Sequence, residues 1–126
     1  LAPSAVLERI RKLEKQNIID GYEVRLNPKF FAKGLVAYIT VKTDDHADEI
    51  EIGKKLAHRP HVQEVHYVAG EDAFLVKLRG SDTEEIGRLI RETIRSIEGV
   101  QLTKTAIVMS TYKETAQFPI DIRKQS

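Results

Sequence analysis

Val62-Gln63-Glu64-Val65-His66-Tyr67-Val68-Ala69-Gly70-Glu71-Asp72-Ala73-Phe74-Leu75-Val76-Lys77-Leu78-Arg79 reads as two strands joined by a tight connection. Val62–Ala69 and Phe74–Arg79 are short runs of β-branched, aliphatic and aromatic side chains, and Gly70-Glu71-Asp72 is the turn between them. Upstream, Leu35–Lys42 is a third strand, and 48–58 is a helix ended by Pro60. Downstream, the spacing predicts a helix over 83–97. Asp82 and Glu85 stand at capping-box distance, Ile86, Leu89, Ile90, Ile94 and Ile97 form one apolar stripe, and Gly99 supplies the left-handed stop. Val100–Thr111 is the last strand.

The order from Leu35 is therefore β-α-β-β-α-β. This predicts an α+β fold, a ferredoxin-like βαββαβ sandwich with both helices on one side of a four-stranded antiparallel sheet. The other side has no helix to cover it. In the first strand Leu35, Ala37, Ile39 and Val41 point one way and Val36 and Tyr38 the other. In the last, Val100, Leu102, Ala106 and Val108 oppose Ile107 and Met109. A sheet with one wet face alternates cleanly, and this one does not. A second copy is the simplest cover, so the expectation is an obligate homodimer, a dimeric α-β barrel.

At 126 residues the chain suits one main domain with a short appended module. Charged residues at 31% and hydrophobic ones at 41% point to a soluble globular protein. No apolar run approaches the roughly 20 residues that span a bilayer, and no signal peptide opens the chain. With no cysteine there is neither disulfide nor thiolate metal site, and the expected compartment is the cytoplasm. Net charge is only +1, so contact with nucleic acid must come from locally concentrated charge.

Such a concentration lies at the start. Pro3 suits the first turn of a helix running to about Gln16, with Val6, Ile10 and Leu13 on its packed stripe. Ala5, Glu8, Arg9, Lys12 and Lys15 lie around the opposite surface. Residues 1–17 hold four basic and two acidic groups, a local excess of +2. The plain alternative is a solvated amphipathic helix. A strand over 18–26 follows, then Asn27-Pro28 and a hinge ending at Gly34. The expected division is 1–34, a partial winged helix-turn-helix; 35–112, a ligand-sensing and oligomerisation domain; and 113–126, a tail that packs loosely or arms a neighbouring subunit.

Several features resemble the Lrp/AsnC (feast/famine) transcription regulators in the right order. They are Leu1-Ala2-Pro3-Ser4-Ala5-Val6-Leu7-Glu8-Arg9-Ile10-Arg11-Lys12-Leu13-Glu14, Asn17-Ile18-Ile19-Asp20-Gly21-Tyr22 with Asn27-Pro28, Val68-Ala69-Gly70-Glu71, and Thr103-Lys104-Thr105-Ala106-Ile107-Val108. The resemblance covers essentially the whole chain. It implies a DNA-binding winged helix joined to an amino-acid-sensing domain, dimers that assemble further to octamers, and two helices preceding Leu1. A polypeptide starting at the recognition helix is expected to bind double-stranded DNA poorly. Where the family usually has serine, Ala2 weakens the helix cap by about 1 kcal/mol.

For an intact protein on DNA, Ser4, Ala5 and Glu8 are assigned to the base-facing side, and Arg9, Arg11, Lys12 and Lys15 to phosphate or base. Arg9 is the choice for specificity, since arginine grips guanine through two hydrogen bonds. At the central turn, Gly70 permits close backbone approach, and the Glu71 and Asp72 carboxylates suit an ammonium group. The resemblance places effector binding there, between subunits, beside Val68. Thr103 and Thr105 of a neighbour would then offer hydroxyls to the ligand's carboxylate. Relatives usually carry a second acidic residue two positions after Glu71, where this chain has Ala73. The rival reading of this segment is a simple polar hairpin turn.

No cofactor and no metal are expected. His58, His61 and His66 straddle Pro60 without an organised further ligand. There is no cysteine nucleophile, Gly-x-Ser-x-Gly elbow or phosphate loop, and Glu84 and Glu85 favour the dipole of the helix they open. The leading expectation is a sequence-specific transcriptional regulator and not an enzyme. The alternatives are a stand-alone metabolite-sensing module and a small dimeric α-β barrel enzyme, neither of which needs the basic helix.

Overall fold

The computed structural model describes residues 6–9, 11, 12, 34–117 and 119. Strands β1 (Leu35–Thr43), β2 (Val62–Val68), β3 (Ala73–Gly80) and β4 (Val100–Ile107) form one sheet in the order β2-β3-β1-β4, every neighbouring pair antiparallel. Helix α1 (Glu49–Ala57) links β1 to β2, and α2 (Thr83–Leu89) leads from β3 toward β4. This is the ferredoxin-like arrangement expected from the order of elements. The strand expected over 18–26 and the hinge before Gly34 lie outside the described residues.

The register explains the core. Ala37 faces Leu78, Ile39 faces Val76 and Val41 faces Phe74, so these side chains share one side of the sheet. Ile52 and Leu56 of α1, with Ile86, Leu89, Ile90, Ile94 and Ile97 of the second helical segment, close over them. Full burial of each large aliphatic chain contributes roughly 1.5–3 kcal/mol. Both helices start at side-chain caps. Asp48 accepts from the Ile50 and Glu51 amides at 3.1 and 3.2 Å, and Asp82 from the Glu85 amide at 2.8 Å. Glu85 reaches back to accept from the amide of Ser81, one residue before the cap, at 3.1 Å.

Three details depart from the sequence reading. The helix expected over 83–97 changes pitch: Ile90–Ile94 is a π turn, closed by the Arg95 amide donating to the Ile90 carbonyl at 2.8 Å. The Thr93 and Ser96 hydroxyls bond carbonyls four residues back, a competition that bends helices, and Arg59 Nε takes the Thr93 carbonyl at 3.1 Å. Second, β4 ends at Ile107 and not at Thr111. The Val108 amide makes one more bond, to the Val36 carbonyl at 2.9 Å, but β1 begins at Leu35 and leaves nothing beyond to pair with. Third, Val100 does not share a side with Leu102. The register jumps from Lys42↔Leu102 to Thr43↔Val100, so Gln101 is an extra residue, Val100 packs against the core, and Leu102 lies on the other side.

The helix-free side carries Val36, Tyr38 and Leu75 together with a polar network. Lys77 and Arg79 alternate with core-facing Val76 and Leu78, so they project from it. Lys77 is only 7% exposed. Its ammonium lies 2.6 Å from Glu114 and 3.3 Å from Glu64, and Arg79 reaches Glu114 at 3.1 Å and Gln63 at 2.8 Å. Burial pushes the Lys77 pKa down, but its bonds to Glu114 and Glu64 outweigh that, and the net shift is upward. Glu64 is held below its ordinary value by the hydrogen bond from His66 at 2.9 Å and by Lys77, against an opposing effect of burial.

Two predictions follow from this packing. Gly99 has a φ of 96°, and a Cβ there would lie 2.9 Å from Ile52 Cδ1. Gly99→Ala is therefore expected to cost about 2 kcal/mol or more, read as a drop in urea midpoint at unchanged slope. The network gives stability a pH window. The Glu64 contribution is complete above about pH 4.3 and lost as pH falls through its lowered folded value. The Lys77 contribution is complete below about pH 10.4 and lost as pH rises through its raised one. Glu64→Gln should lose less stability than the parent between neutral and acid pH, in urea titrations at each pH.

Candidate functional site

Two residues in left-handed backbone shape the turn between β2 and β3. Gly70 has a φ of 95° and Asp72 a φ of 52°, and the Asp72 amide donates to the Val68 carbonyl at 3.0 Å. Aspartate is one of the few side chains that visits this region routinely. A Cβ on Gly70 would meet nothing within 4 Å, so the position requires glycine's φ and leaves the space above its backbone open. Glu71 and Asp72 are exposed at the tip, and Val68 is half-buried below them.

Tyr67 and Glu49, which sequence reasoning missed, flank this turn. The Tyr67 hydroxyl donates to Glu49 at 3.0 Å, and its ring meets Phe74 edge-on, centroids 5.1 Å apart. Its pKa is raised by lost hydration, then by the bond to Glu49, then by the charges of Glu49 and Asp72. Phe74 in turn approaches to 3.1 Å of where a Cβ on Gly53 would stand, so a small residue lets α1 settle against β3 and carries Glu49 to the tyrosine. The available signal was the aromatic pair Tyr67 and Phe74, one on each side of the turn.

Thr103 and Thr105 lie elsewhere. Their partners are Val41 and Ile39, which puts both on the helix side of the sheet but on edge strand β4, Thr103 half-buried and Thr105 exposed. The pairings Tyr67↔Phe74 and Phe74↔Val41 and Val41↔Thr103 form one row across all four strands. Three strand spacings separate its ends by about 14 Å. One chain thus gathers Val68, Gly70, Glu71 and Asp72 at one edge and leaves the two threonines at the other. Two open depressions of about 510 and 500 Å³ are lined by Ser81, Asp82 and Arg88, and by Lys54, Lys55 and His58, among others, away from the turn and the threonines.

Glu8, Arg9, Arg11 and Lys12 are helical and exposed, while Ser4, Ala5 and Lys15 lie outside the described residues. Val6, expected on the packed stripe, is 41% exposed. His58 Nδ1 lies 2.6 Å from the Lys54 carbonyl at the end of α1, and His66 pairs with Glu64. No group of three histidine or carboxylate side chains among the described residues is arranged to hold a metal.

Residues 36–118 match the family described as Lrp/AsnC ligand binding domain. The chain is 30% identical over 125 residues to the leucine-responsive regulatory protein of Klebsiella pneumoniae, covering 98% of this chain and 76% of that one. It is 35% identical over 120 residues to the HTH-type transcriptional regulator FL11 of Pyrococcus horikoshii, covering 95% and 78%. Among solved structures, a transcriptional regulator from Neisseria meningitidis in complex with L-methionine superposes with a TM-score of 0.84 at 28% identity, covering 94% of this chain and 78% of that one. A feast or famine regulatory protein from M. tuberculosis, also complexed with L-methionine, gives 0.80 at 27% identity, covering 94% and 79%. With the family matched over most of the length of the chain and both of these relatives regulators, this chain belongs to the Lrp/AsnC transcriptional regulators and is not an enzyme.

Proposed function

We propose that the protein is a sequence-specific DNA-binding regulator of transcription whose ferredoxin-like domain binds an amino acid. The observation that carries this reading is the β2–β3 turn. Two left-handed residues hold the Glu71 and Asp72 carboxylates in solvent over an open backbone, in a domain similar to two regulators solved with L-methionine. The carboxylates suit an α-ammonium group. The ligand's carboxylate then needs donors from another chain, and Thr103 and Thr105 of a neighbour are the assigned ones. Residues 1–34 serve as the DNA-reading part, 35–112 as the sensing and assembling part and 113–126 as a tail.

The partners of this reading are double-stranded DNA, an amino acid and further copies of the chain in the cytoplasm. The homodimer rests on the apolar share of the helix-free side, and assembly to an octamer rests on family likeness alone. Ligand shifts the equilibrium between assemblies in proportion to its differential affinity for them.

Calorimetric titration of the purified oligomer with methionine and leucine should give saturable heat for at least one. Asp72→Asn should weaken that binding by about tenfold, the loss of one charge-assisted contact. Binding of every amino acid unchanged by Asp72→Asn, or no binding at all, would sink the assignment of the turn. In the protein with its complete DNA-binding unit, Arg9→Ala should lower the ratio of specific to non-specific DNA affinity at fixed salt. An unchanged ratio assigns Arg9 to phosphate.

A further inference from the structure

We propose that the last turn of α1 and the residues just after it form a second contact surface for the phosphate backbone of double-stranded DNA, carried by Lys55 and Arg59 with Lys54 and His58 beside them. The proposal rests on the DNA-binding reading above and adds to it a contact outside residues 1–34.

The first observation is charge that is held in place but not neutralised. The open depression of about 500 Å³ at this end of α1 is lined by Glu51, Lys54, Lys55, His58 and Arg59. Three permanent cations against one carboxylate leave an excess of two, more than the roughly half negative charge of a helix C-terminus can cancel. Glu51 reaches Lys54 only at 3.8 Å, with both side chains more than half exposed. Lys55 and Arg59 make no ion pair among the described residues. What fixes Arg59 is a main-chain oxygen, the Thr93 carbonyl 3.1 Å from its Nε, and that bond leaves the charge of the guanidinium uncompensated. Glu92, next to Thr93 in the chain, is engaged with Arg88 at 3.1 Å.

The second observation is spacing. Lys55 and Arg59 stand four residues apart at the end of the helix, where like charges are neighbours and destabilise it. The other depression shows the usual remedy. Asp82, Glu84 and Glu85 line it together with Arg88 and Arg91, and Arg88 is paired with Glu85 and Glu92. At the end of α1 the carboxylates are lacking, and an anion from outside the chain would relieve the repulsion.

Exposure selects the anion. Lys54, Lys55 and His58 are exposed and Arg59 is half-buried, so a single small anion here stays hydrated and screened. A DNA duplex differs, because it carries one negative charge per roughly 1.7 Å and condensed counterions that surface cations release. Cations too exposed to hold a lone phosphate therefore add up along a polyanion, and this chain belongs to a family of transcriptional regulators.

Binding of the full chain to a labelled duplex, titrated over a series of salt concentrations, tests the surface. The double variant Lys55→Gln/Arg59→Gln should flatten the slope of log affinity against log salt by about 1.8, two phosphate contacts' worth. The loss should be equal on unrelated sequences, since phosphate carries no sequence information. Arg59→Lys keeps the charge and should keep the slope, whereas Glu51→Gln should tighten binding. Circular dichroism checks that each variant is folded. A folded double variant with the parent's slope overturns the surface, as does a parent that binds no duplex at low salt. Displacement of the duplex by inorganic phosphate at matched ionic strength assigns the depression to a free anion and overturns the DNA contact. None of these outcomes touches the DNA-binding reading, which the sequence preference of the protein with its complete DNA-binding unit decides separately.

Discussion

The register in which β1 lies against β3 is the constraint on which the remaining structure depends. With Ala37, Ile39 and Val41 opposite Leu78, Val76 and Phe74, six apolar side chains share the side that α1 and α2 cover. A slip of one residue would put Ile39 and Val41 on the same side as Lys77 and Arg79, so that either the charged pair turned inward or the aliphatic pair faced outward, a change that no local rearrangement repairs. The same register sets both the surroundings of the β2–β3 turn and the ion-pair network. It puts Phe74 at the start of β3, beside Tyr67 and the turn, and it aims Lys77 at the opposite side, where Glu64 and Glu114 meet it.

The two sides of the sheet are stabilised by different physics. The helix side is dry and apolar, and its cohesion scales with buried area. On the helix-free side a nearly buried ammonium is kept charged by two carboxylates, an arrangement that adds little net stability but penalises every alternative that leaves Lys77 unpaired. It is therefore a specificity device for the path of the tail. The helix side would tolerate volume-conserving exchange of aliphatic residues, whereas on the helix-free side loss of either carboxylate leaves the Lys77 ammonium with a single ion-pair partner.

Most of the fold was legible because its signals are local. The Asp82 cap, the stripe from Ile86 to Ile97 and the glycines at 70 and 99 each act within a few residues of chain, and all appear where expected. What was not legible depends on partners distant in sequence. The π turn at Ile90–Ile94 leaves the same isoleucines buried, so the apolar pattern cannot report it. The bulge at Gln101 reversed the assignment of Val100, because alternation counts residues and cannot count an insertion against a neighbouring strand. At the site, glycine and two carboxylates marked the turn, but the Tyr67–Glu49 bond joins residues 18 apart and has no sequence signature. The Lys77–Glu114 pair, 37 apart, has none either.

Geometry also bears on why sensing and assembly would be one process. The proposed contacts for ammonium, Glu71 and Asp72, and those for carboxylate, Thr103 and Thr105, belong to opposite edges of the sheet. About 14 Å of intervening strands separate Tyr67 from Thr103, whereas the two charged groups of an α-amino acid share a single carbon. No amino acid can span that gap within one subunit. A ligand using both sets must therefore sit where the turn of one chain meets β4 of another. Its binding energy is then available only to assemblies that bring those edges together, and mass action favours them as ligand rises. Coupling of this kind needs no shape change inside the subunit, only a second edge within reach of the first.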